Sequence, residues 1–360
     1  MTETTDFNWA DNEILFNSCG LSVVLRSANK KLWEETFEQT AYMPGSYSNM
    51  NIDFLMALQT GYGTKVYDLS CIIIWDSKPV GVWPLFLSVK DGSAELNFID
   101  NCVVPPLFRK DSQSTIVKQI IKNCLHLANT ITGMTGKNSW KSMESSNFTV
   151  GISAWHLQSM SSGAECSINY ELCIDVVPEI TAIKSRFRKS FKSLISSGQK
   201  LWSVSVMEGP DEKIWQEFKE LHRKAAGRQT RSDETWQIHY QDILDHRSFV
   251  VCLQNESGEL VGAGLFNCTR DECVYAVAAY DRSLFDKPLG HVVQYRAIEE
   301  MKKTKINWYK LGPRAFGTQI PVPTDKEISI GEFKQGFASH VFPRYILQHP
   351  VMPISNQNNE

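Results

Sequence analysis

Two short stretches hold the polar residues best suited to binding an anion. In the first, Arg228, Thr230 and Arg231 follow a glycine that is expected to end a helix. Trp236 comes shortly after them. Forked guanidinium groups beside an aromatic ring suit a carboxylate or phosphate on a sugar or peptide. Lys334, in the second stretch FKQGF, could bind an anion or neutralise one. The alternative for the first stretch is a solvated loop with helix C-terminal charges.

Two titratable residues lie on either side of the loop in a predicted strand–loop–helix unit. An apolar strand at residues 274–280 leads through a Lys-Pro-Leu-Gly loop into a helix near Gly290. The free N–H groups and positive dipole end of such a helix start favour an anion. Asp281, at the strand end, could orient or deprotonate an amine, and His291 could act as a base near neutral pH. The alternatives are a turn aspartate and a capping or surface histidine.

The bulk composition argues against several classes of protein. The 360 residues suffice for two domains, and a formal net charge of −3 gives no general attraction to nucleic acid or anionic membranes. Nine scattered cysteines, without a CxxC pair or a His cluster, predict buried thiols, no metal site and a reducing cytoplasm. No apolar run reaches the roughly twenty residues that a membrane span needs. The N-terminal region lacks the apolar core of a signal peptide.

The elements that must position these residues are predicted twice along the chain. Each half has a helix, a hairpin, a third strand ending in aspartate and a further helix. The matching segments lie 181 or 182 residues apart: 31–35 with 213–217, 79–81 with 260–262, and Asp100 with Asp281. We therefore expect an internal duplication, in which residues 31–128 and 213–303 share one fold.

The repeated unit resembles the GNAT acyltransferase fold, and two in tandem resemble the FemAB-like, or BioF2-like, group of that superfamily. The resemblance is clearest over residues 183–337 and rests on the order of six segments: 186–191, 222–236, 261–264, 278–280, 288–291 and 333–337. It implies an α/β (α+β) fold of two tandem GNAT-like domains, each a mixed twisted sheet flanked by helices. We expect an N-terminal domain at 1–165, a C-terminal domain at 166–348 carrying the donor site, and a disordered tail at 349–360.

The resemblance also implies roles for individual residues. In the family, a backbone N–H holds the acyl carbonyl where the fourth strand splays, which corresponds to residues 278–280. The implied donor-binding residues are Ala278, Ala279, Lys287, Leu289 and Gly290, and the catalytic candidates are Tyr280, Asp281 and His291. Common GNAT enzymes hold the acyl-CoA pyrophosphate with a Q/R-x-x-G-x-G/A loop, whereas this loop has a single glycine. Lys287 could supply charge where proline and leucine limit the converging N–H groups.

The implied activity is N-acyl transfer to an amino group of a sugar or peptide precursor of the cell envelope. Acetyl-CoA or another acyl-CoA is the expected co-substrate, with no metal and no membrane span. An alternative is aminoacyl-tRNA-dependent synthesis of a peptide bridge, for which the basic face of a helix at 183–195 would contact phosphates. A third hypothesis is a non-catalytic ligand-binding protein that kept the duplicated fold and lost the donor loop.

Overall fold

The structure, a computed structural model, describes residues 12–145 and 151–351 and forms two compact units. Unit 1 comprises Met1–Tyr42, Tyr47–Ile168 and Pro343–Glu360, and unit 2 comprises Met43–Ser46 and Asn169–Phe342. Of the predicted tail, His349 and Pro350 instead belong to a strand, and residues 352–360 lie outside the described part. No helix within the described ranges is long and apolar enough to cross a membrane.

Unit 1 combines helices with short strands. The helices in its described part are α1 (Asn12–Ser18), α2 (Lys30–Phe37), α3 (Asn49–Gly61), α4 (Ser114–Met134) and α5 (Ala154–Ser161). The strands are β1 (Ser22–Leu25), β2 (Lys65–Asp68), β3 (Cys71–Trp75), β4 (Lys78–Trp83), β5 (Phe86–Lys90), β6 (Ser93–Asn97), β7 (Leu107–Phe108) and β8 (Ser139–Ser145). They form one sheet in the order β1-β3-β4-β7 and another in the order β2-β5-β6.

A proline divides the central hairpin of unit 1 into these two sheets. The sequence predicts one strand at residues 80–89, but β4 ends before Pro84 and β5 begins after Leu85. Proline has no N–H for the ladder. The interruption is bridged because Leu69 N donates to Leu85 O at 2.9 Å, and Leu85 N donates to the Ser70 hydroxyl at 3.1 Å. The two sheets are therefore successive parts of one meander.

Unit 2 has a longer, continuous sheet. Its helices are α6 (Ile180–Ser185), α7 (Lys189–Leu201), α8 (Glu212–Ala226), α9 (Asp233–Leu244), α10 (Leu289–Lys303) and α11 (Asp325–Gln335). The remaining strands are β9 (Glu165–Asp175), β10 (Ser203–Met207), β11 (Ser248–Gln254), β12 (Leu260–Cys268), β13 (Glu272–Tyr280), β14 (Trp308–Pro313) and β15 (His340–Pro350). Neighbouring strands of unit 2 follow the order β10-β11-β12-β13-β14-β9.

The two units repeat one order of elements, which confirms the predicted duplication and α/β fold class. In unit 2, β10, α8 and α9 precede the meander β11–β12–β13, and α10 leads to β14, parallel to β13. In unit 1, β1, α2 and α3 precede the interrupted meander, and α4 leads to β8. There, Val103 N donates to Lys141 O and Met143 N donates to Val103 O, each at 2.8 Å. These bonds make β8 parallel to the segment after β6.

Helices cover both faces of the unit 2 sheet. On one face, Trp215, Phe218 and Trp236 of α8 and α9 pack against Val277 and Ala279 of β13. On the other face, side chains of α7 and α10 form a separate cluster with β11 and β12. Helix α8 ends, as predicted, at a glycine: Gly227 has φ +72°, in the left-handed region that glycine adopts without strain. The chain therefore leaves α8 at Gly227, and the stretch with Arg228 and Arg231 follows the helix.

The contact between α7 and α10 depends on Gly198. A Cβ atom there would lie 2.4 Å from Val292 Cγ2 and 2.9 Å from Pro288 O. We expect Gly198→Ala to lower the free energy of unfolding by about 1–3 kcal/mol, measured by urea titration, despite alanine's higher helix propensity. Gly209→Ala is the control, since no heavy atom lies within 4 Å of its added Cβ. Equal effects of the two substitutions would contradict this packing.

A segment of four residues from early in the chain belongs to unit 2. Gly45 N donates to Glu272 Oε1 at 2.7 Å, and Met43 N donates to Asp271 Oδ2 at 2.9 Å. Glu272 is only 1% exposed, and its other oxygen lies 2.8 Å from Lys310 Nζ. Since a buried carboxylate needs such partners, Gly45 and Lys310 together satisfy Glu272 at the start of β13.

One pair of cysteines departs from the sequence expectation. Cys268 and Cys273 are partners in the β12–β13 register and are joined by a disulfide. The prediction that all the cysteines are thiols is therefore wrong for this pair, because directly opposite strand positions bring their side chains together. The other seven are free, and all of them except Cys166 are buried.

Candidate functional site

The parallel strands β13 and β14 pair only at their beginnings. The register joins Glu272, Cys273 and Val274 to Trp308, Tyr309 and Lys310. No further pair between these strands occurs among the described residues. Beyond this point both strands contain an irregularity in their pairing with the other neighbouring strand. In β13 the register with β12 shifts between residues 275 and 277, and in β14 the register with β9 shifts between Lys310 and Gly312. We call the gap between residues 275–280 and 311–313 the strand wedge.

Two backbone N–H groups of β13 face the strand wedge. Asp281 N donates to Val261 O at 2.9 Å, across the β12–β13 pair. Antiparallel partners alternate between hydrogen-bonded and non-hydrogen-bonded pairs. Ala279 is therefore bonded to β12, whereas the N–H groups of Ala278 and Tyr280 point away from β12. The backbone of the segment predicted to hold an acyl carbonyl is thus oriented towards the wedge.

Three tyrosines of β13 and β14 and a glutamine of α10 form a polar cluster on the side of the sheet that α10 covers. The hydroxyl oxygens of Tyr275 and Tyr280 are 2.8 Å apart, and the Tyr309 hydroxyl donates to Gln294 Oε1. Gln294 is 1% exposed, and its side chain also interacts with the Tyr275 hydroxyl. Burial raises the pKa of Tyr275 to about 12 and also raises the pKa values of Tyr280 and Tyr309. All three hydroxyls are consequently neutral at physiological pH.

Lys334 reaches this cluster from α11. Its Nζ lies 5.6 Å from the ring centroid of Tyr275. A Cβ atom at Gly312, which has φ +111°, would lie 2.9 Å from the same nitrogen. Nζ forms no hydrogen bond or ion pair with any residue that the structure describes, and burial lowers the pKa of Lys334 to about 8. The absence of a side chain at Gly312 therefore leaves room for an ammonium group that has no counter-charge.

Asp281 has the environment of a turn-capping carboxylate. It accepts from Ser283 Oγ at 2.7 Å and Ser283 N at 2.9 Å, and it lies 3.2 Å from Lys224 Nζ. The bonds from Ser283, followed by the interaction with Lys224, lower its pKa. A carboxylate stabilised in its ionised form is a weak base, so Asp281 is poorly suited to deprotonating an amine.

His291 lies among aromatic rings at the start of α10. Its ring makes contacts with Phe191, Phe333 and Phe337 at centroid distances of 4.5, 5.1 and 6.1 Å. Burial among these rings lowers its pKa to about 4. A pKa of about 4 is too low for a base near neutral pH, which is the role that the sequence suggested. The histidine packs against these three phenylalanines.

The loop before α10 offers an anion less free charge and fewer free N–H donors than the sequence suggests. Lys287 Nζ lies 3.1 Å from Asp286 Oδ2, so its charge is already partnered. Leu289 is buried, and its N–H donates to Lys287 O at 3.0 Å. At Gly290 an added Cβ would lie 3.1 Å from Phe333 Cζ, which shows how closely the helix start approaches α11.

The predicted acceptor residues occupy separate places. Thr230, Arg231 and Trp236 line a cleft of about 400 Å³ between α8 and the start of α9. Arg228 is exposed and does not line this cleft, and Lys334 lies at the strand wedge instead. We call the first place the α8–α9 cleft.

A buried histidine orients Arg231 in the α8–α9 cleft. Arg231 Nη1 lies 3.3 Å from His239 Nε2, and the guanidinium carbon lies 6.0 Å from the Trp236 ring centroid. Burial and, to a smaller extent, the charge of Arg231 lower the pKa of His239 to about 3. The neutral imidazole therefore accepts a hydrogen bond from the guanidinium, which holds it against Trp236.

Sequence reasoning missed further residues at both places. The α8 side chains Gln216, Lys219, Glu220 and Arg223 also line the cleft, at the three- and four-residue spacing of one helical face. Lys219 is paired with Asp233, and Arg223 is paired with Glu220. Gln294 could have been found as a polar residue between the apolar positions Val293 and Ala297 of α10.

The comparisons with known proteins establish the fold. No family model and no curated protein sequence match this chain. The solved structure of FemX is 10% identical, with a TM-score of 0.62 over 87% of this chain and 94% of that chain. The structure of L-PGS from Bacillus licheniformis is 14% identical, with a TM-score of 0.55 over 91% and 93%. At such low identity the likeness concerns the fold, which agrees with the duplicated FemAB-like architecture expected from the sequence.

No group of three or more His, Cys, Asp or Glu suited to a metal ion occurs in the described ranges.

Proposed function

We propose that this protein is an acyltransferase that moves an acyl group to an amino group. The observation that carries the proposal is the ammonium group of Lys334 beside the strand wedge, without a counter-charge among the described residues. The N–H groups of Ala278 and Tyr280 face the same gap. A cation and oriented amides in a partly desolvated gap are the groups that stabilise an oxyanion.

The proposed reaction uses these donors at one step. A neutral amine attacks the acyl carbonyl, forming the C–N bond and placing negative charge on the carbonyl oxygen. The amides of Ala278 and Tyr280 donate to this oxygen, and Lys334 stabilises its charge. The intermediate collapses when the bond to the leaving group breaks, and the proton released by the amine goes to that leaving group. No side-chain base takes part in this step, since hydrogen bonds from Ser283 lower the pKa of Asp281 and burial lowers the pKa of His291 to about 4.

We propose acyl-CoA as the donor, as expected from the resemblance to GNAT enzymes. The alternative donor, aminoacyl-tRNA, is favoured by a basic surface on α6 and α7. Arg188, Lys189 and Lys192 project there, and Arg186 lies 3.9 Å from the single carboxylate of Asp175. The sequence predicts one helix here, whereas the structure has two, which meet at these arginines.

For the acceptor we propose a small amino sugar or peptide precursor of the cell envelope that carries a carboxylate or phosphate. Its anionic group would bind Arg231 in the α8–α9 cleft. The cleft lies close to the carboxyl end of β13, since Arg223 lines it and the next residue, Lys224, forms an ion pair with Asp281 at 3.2 Å. Asp281 directly follows Tyr280, whose N–H faces the wedge.

A transfer assay tests the proposal and separates the donors. The protein is incubated with acetyl-CoA or alanyl-tRNA, and with glucosamine 6-phosphate or a short peptide that has a free amine. We expect a new amide, detected by mass spectrometry as the mass of one acyl group on the amine. Binding of the acceptors by calorimetry without transfer from either donor would contradict the proposal and support a non-catalytic binding protein.

A further inference from the structure

The α8–α9 cleft carries a small excess of positive charge. Its lining includes three cations, Lys219, Arg223 and Arg231, and two carboxylates, Glu220 and Asp233. Asp233 lies 3.0 Å from Lys219, and Glu220 lies 2.6 Å from Arg223, so both carboxylates are neutralised within the lining. Three cations and two carboxylates give the lining a net formal charge of +1. This charge balances a monoanion but only half of a dianion.

A histidine also lines this cleft. The centroid of the His222 ring lies 5.2 Å from that of Trp236, with the two rings nearly perpendicular. The guanidinium carbon of Arg231 lies 6.0 Å from the centroid of the same indole. The imidazole and the guanidinium are thus grouped around one aromatic side chain, at the wall of a cavity of about 400 Å³.

The surroundings of His222 favour its neutral form. Burial and, to a smaller extent, the charge of Arg231 lower its pKa. The four other charged side chains of the lining form the two ion pairs described above, and His239 behind Arg231 is neutral. The strand β13, which packs against α8, contributes the apolar side chains of Val277 and Ala279. A negative charge in the cleft would oppose both effects on His222, because a nearby anion favours the imidazolium form.

The cleft also combines donors of three kinds. Arg231, His222 and Thr230 bring a guanidinium, an imidazole and a hydroxyl group to its lining. A phosphate monoester has three terminal oxygens that accept hydrogen bonds, whereas a carboxylate has two. The set of donors therefore matches a phosphate better than a carboxylate.

We propose that the α8–α9 cleft binds a phosphate monoester and that His222 takes up a proton when this ligand binds. At neutral pH a phosphate monoester carries about two negative charges, since its second pKa is near 6. Arg231 would balance one of these charges through its planar fork, and the imidazolium of His222 would balance the other. A carboxylate would need only the charge already present and would take up no proton. The inference rests on the proposed function, because it assigns the anionic group of the acceptor to one chemical class.

The test is a calorimetric titration of the full chain with glucose 6-phosphate and with glucose 6-sulfate. The two probes have the same shape and no amine, but at about pH 7.5 the phosphate carries about two negative charges and the sulfate about one. Titrations in buffers that differ in their enthalpy of ionisation give the number of protons exchanged. We expect uptake of about 0.5–1 proton with the phosphate and none with the sulfate. Equal uptake with both probes, or no binding of the phosphate, would overturn the proposal.

The variant His222→Gln assigns the proton, because glutamine keeps a hydrogen-bond donor but does not titrate. We expect it to take up no proton and to bind the phosphate about tenfold more weakly, with little change for the sulfate. His126→Gln, at an exposed position of α4, is the matched control and should behave like the wild type. Proton uptake that persists in His222→Gln would place the proton on the phosphate or on another group and contradict the proposal. If His222→Gln does not fold, ring-nitrogen shifts of the wild-type protein decide, since the phosphate must convert one neutral histidine into its charged form.

These titrations contain no acyl donor, so their outcome is separate from that of the transfer assay. Proton-linked binding of the phosphate without acyl transfer would contradict the proposed activity but not this inference. Acyl transfer to an amine without proton-linked binding of the phosphate would contradict this inference alone.

Discussion

Replacement of Lys334 by methionine is expected to reduce kcat for acyl transfer by roughly 100- to 1000-fold, the usual loss for one oxyanion donor. Methionine keeps most of the side-chain volume beside Tyr275 and Gly312 but removes the charge. Donor binding should change little, since the wedge contact is made in the transition state. Steady-state kinetics with donor and acceptor varied separately measure both quantities.

The pH dependence of the same step identifies the ammonium group. Lys334 has a pKa of about 8, so it loses its charge as the pH rises through that value. We expect kcat to fall above about pH 8 in the wild-type protein and to show no such fall in Lys334→Arg, because arginine stays protonated. If kcat of Lys334→Arg falls above pH 8 as in the wild type, the fall is caused by another group.

Stability distinguishes a functional lysine from a structural one. The folded-state pKa of Lys334 lies below its ordinary value of 10.5, so the charged form costs stability at neutral pH, and the cost disappears above the unfolded-state value. Lys334→Met should therefore melt at the same or a higher temperature than the wild type. Lys326→Met, at an exposed position of the same helix, is the matched control and should keep full activity.

The second large effect is expected at Arg231. We expect Arg231→Ala to lower kcat/KM for an anionic acceptor by about 10- to 100-fold, the value of one charge-assisted contact in a partly buried cleft. Arg231→Lys should recover little, because lysine cannot reproduce the planar fork that His239 orients against Trp236. Donor KM should be unchanged.

Arg228 provides the control for this experiment. The sequence assigns it to the same acceptor group, but it is exposed and lies outside the α8–α9 cleft. We therefore expect Arg228→Ala to behave like the wild type. Equal losses in both variants would indicate a general effect of surface charge, and no loss in Arg231→Ala, with an unchanged melting temperature, would remove the cleft from the proposal.

The sequence allowed prediction of features that depend on chain order or on one residue. The repeat was visible because matching segments keep a constant spacing, and the end of α8 was visible because Gly227 permits a left-handed turn. The break at Pro84 was also present in the sequence, as a missing ladder donor within a predicted strand.

Environments assembled from distant segments could not be predicted. The pKa of His291 depends on three phenylalanines from α7, α11 and the residues after α11. The strand wedge depends on where β13 and β14 stop pairing, which no local pattern specifies. Lys334 was expected to bind an anion, but its place beside the wedge follows from the path of α11 and from Gly312.

The segment Met43–Ser46 has a consequence for how the protein is made. Gly45 and its partner Glu272 are separated by 227 residues, so the ribosome releases the first long before the second. At common rates of synthesis this delay is roughly 10–45 s. During that time the segment must stay accessible, and Glu272 Oε1 gains its backbone donor only when the start of β13 captures a segment that has already emerged. A fragment beginning at Asn169 would lack the Gly45 donor, so the C-terminal half expressed separately should melt at a lower temperature than the same unit in the full chain.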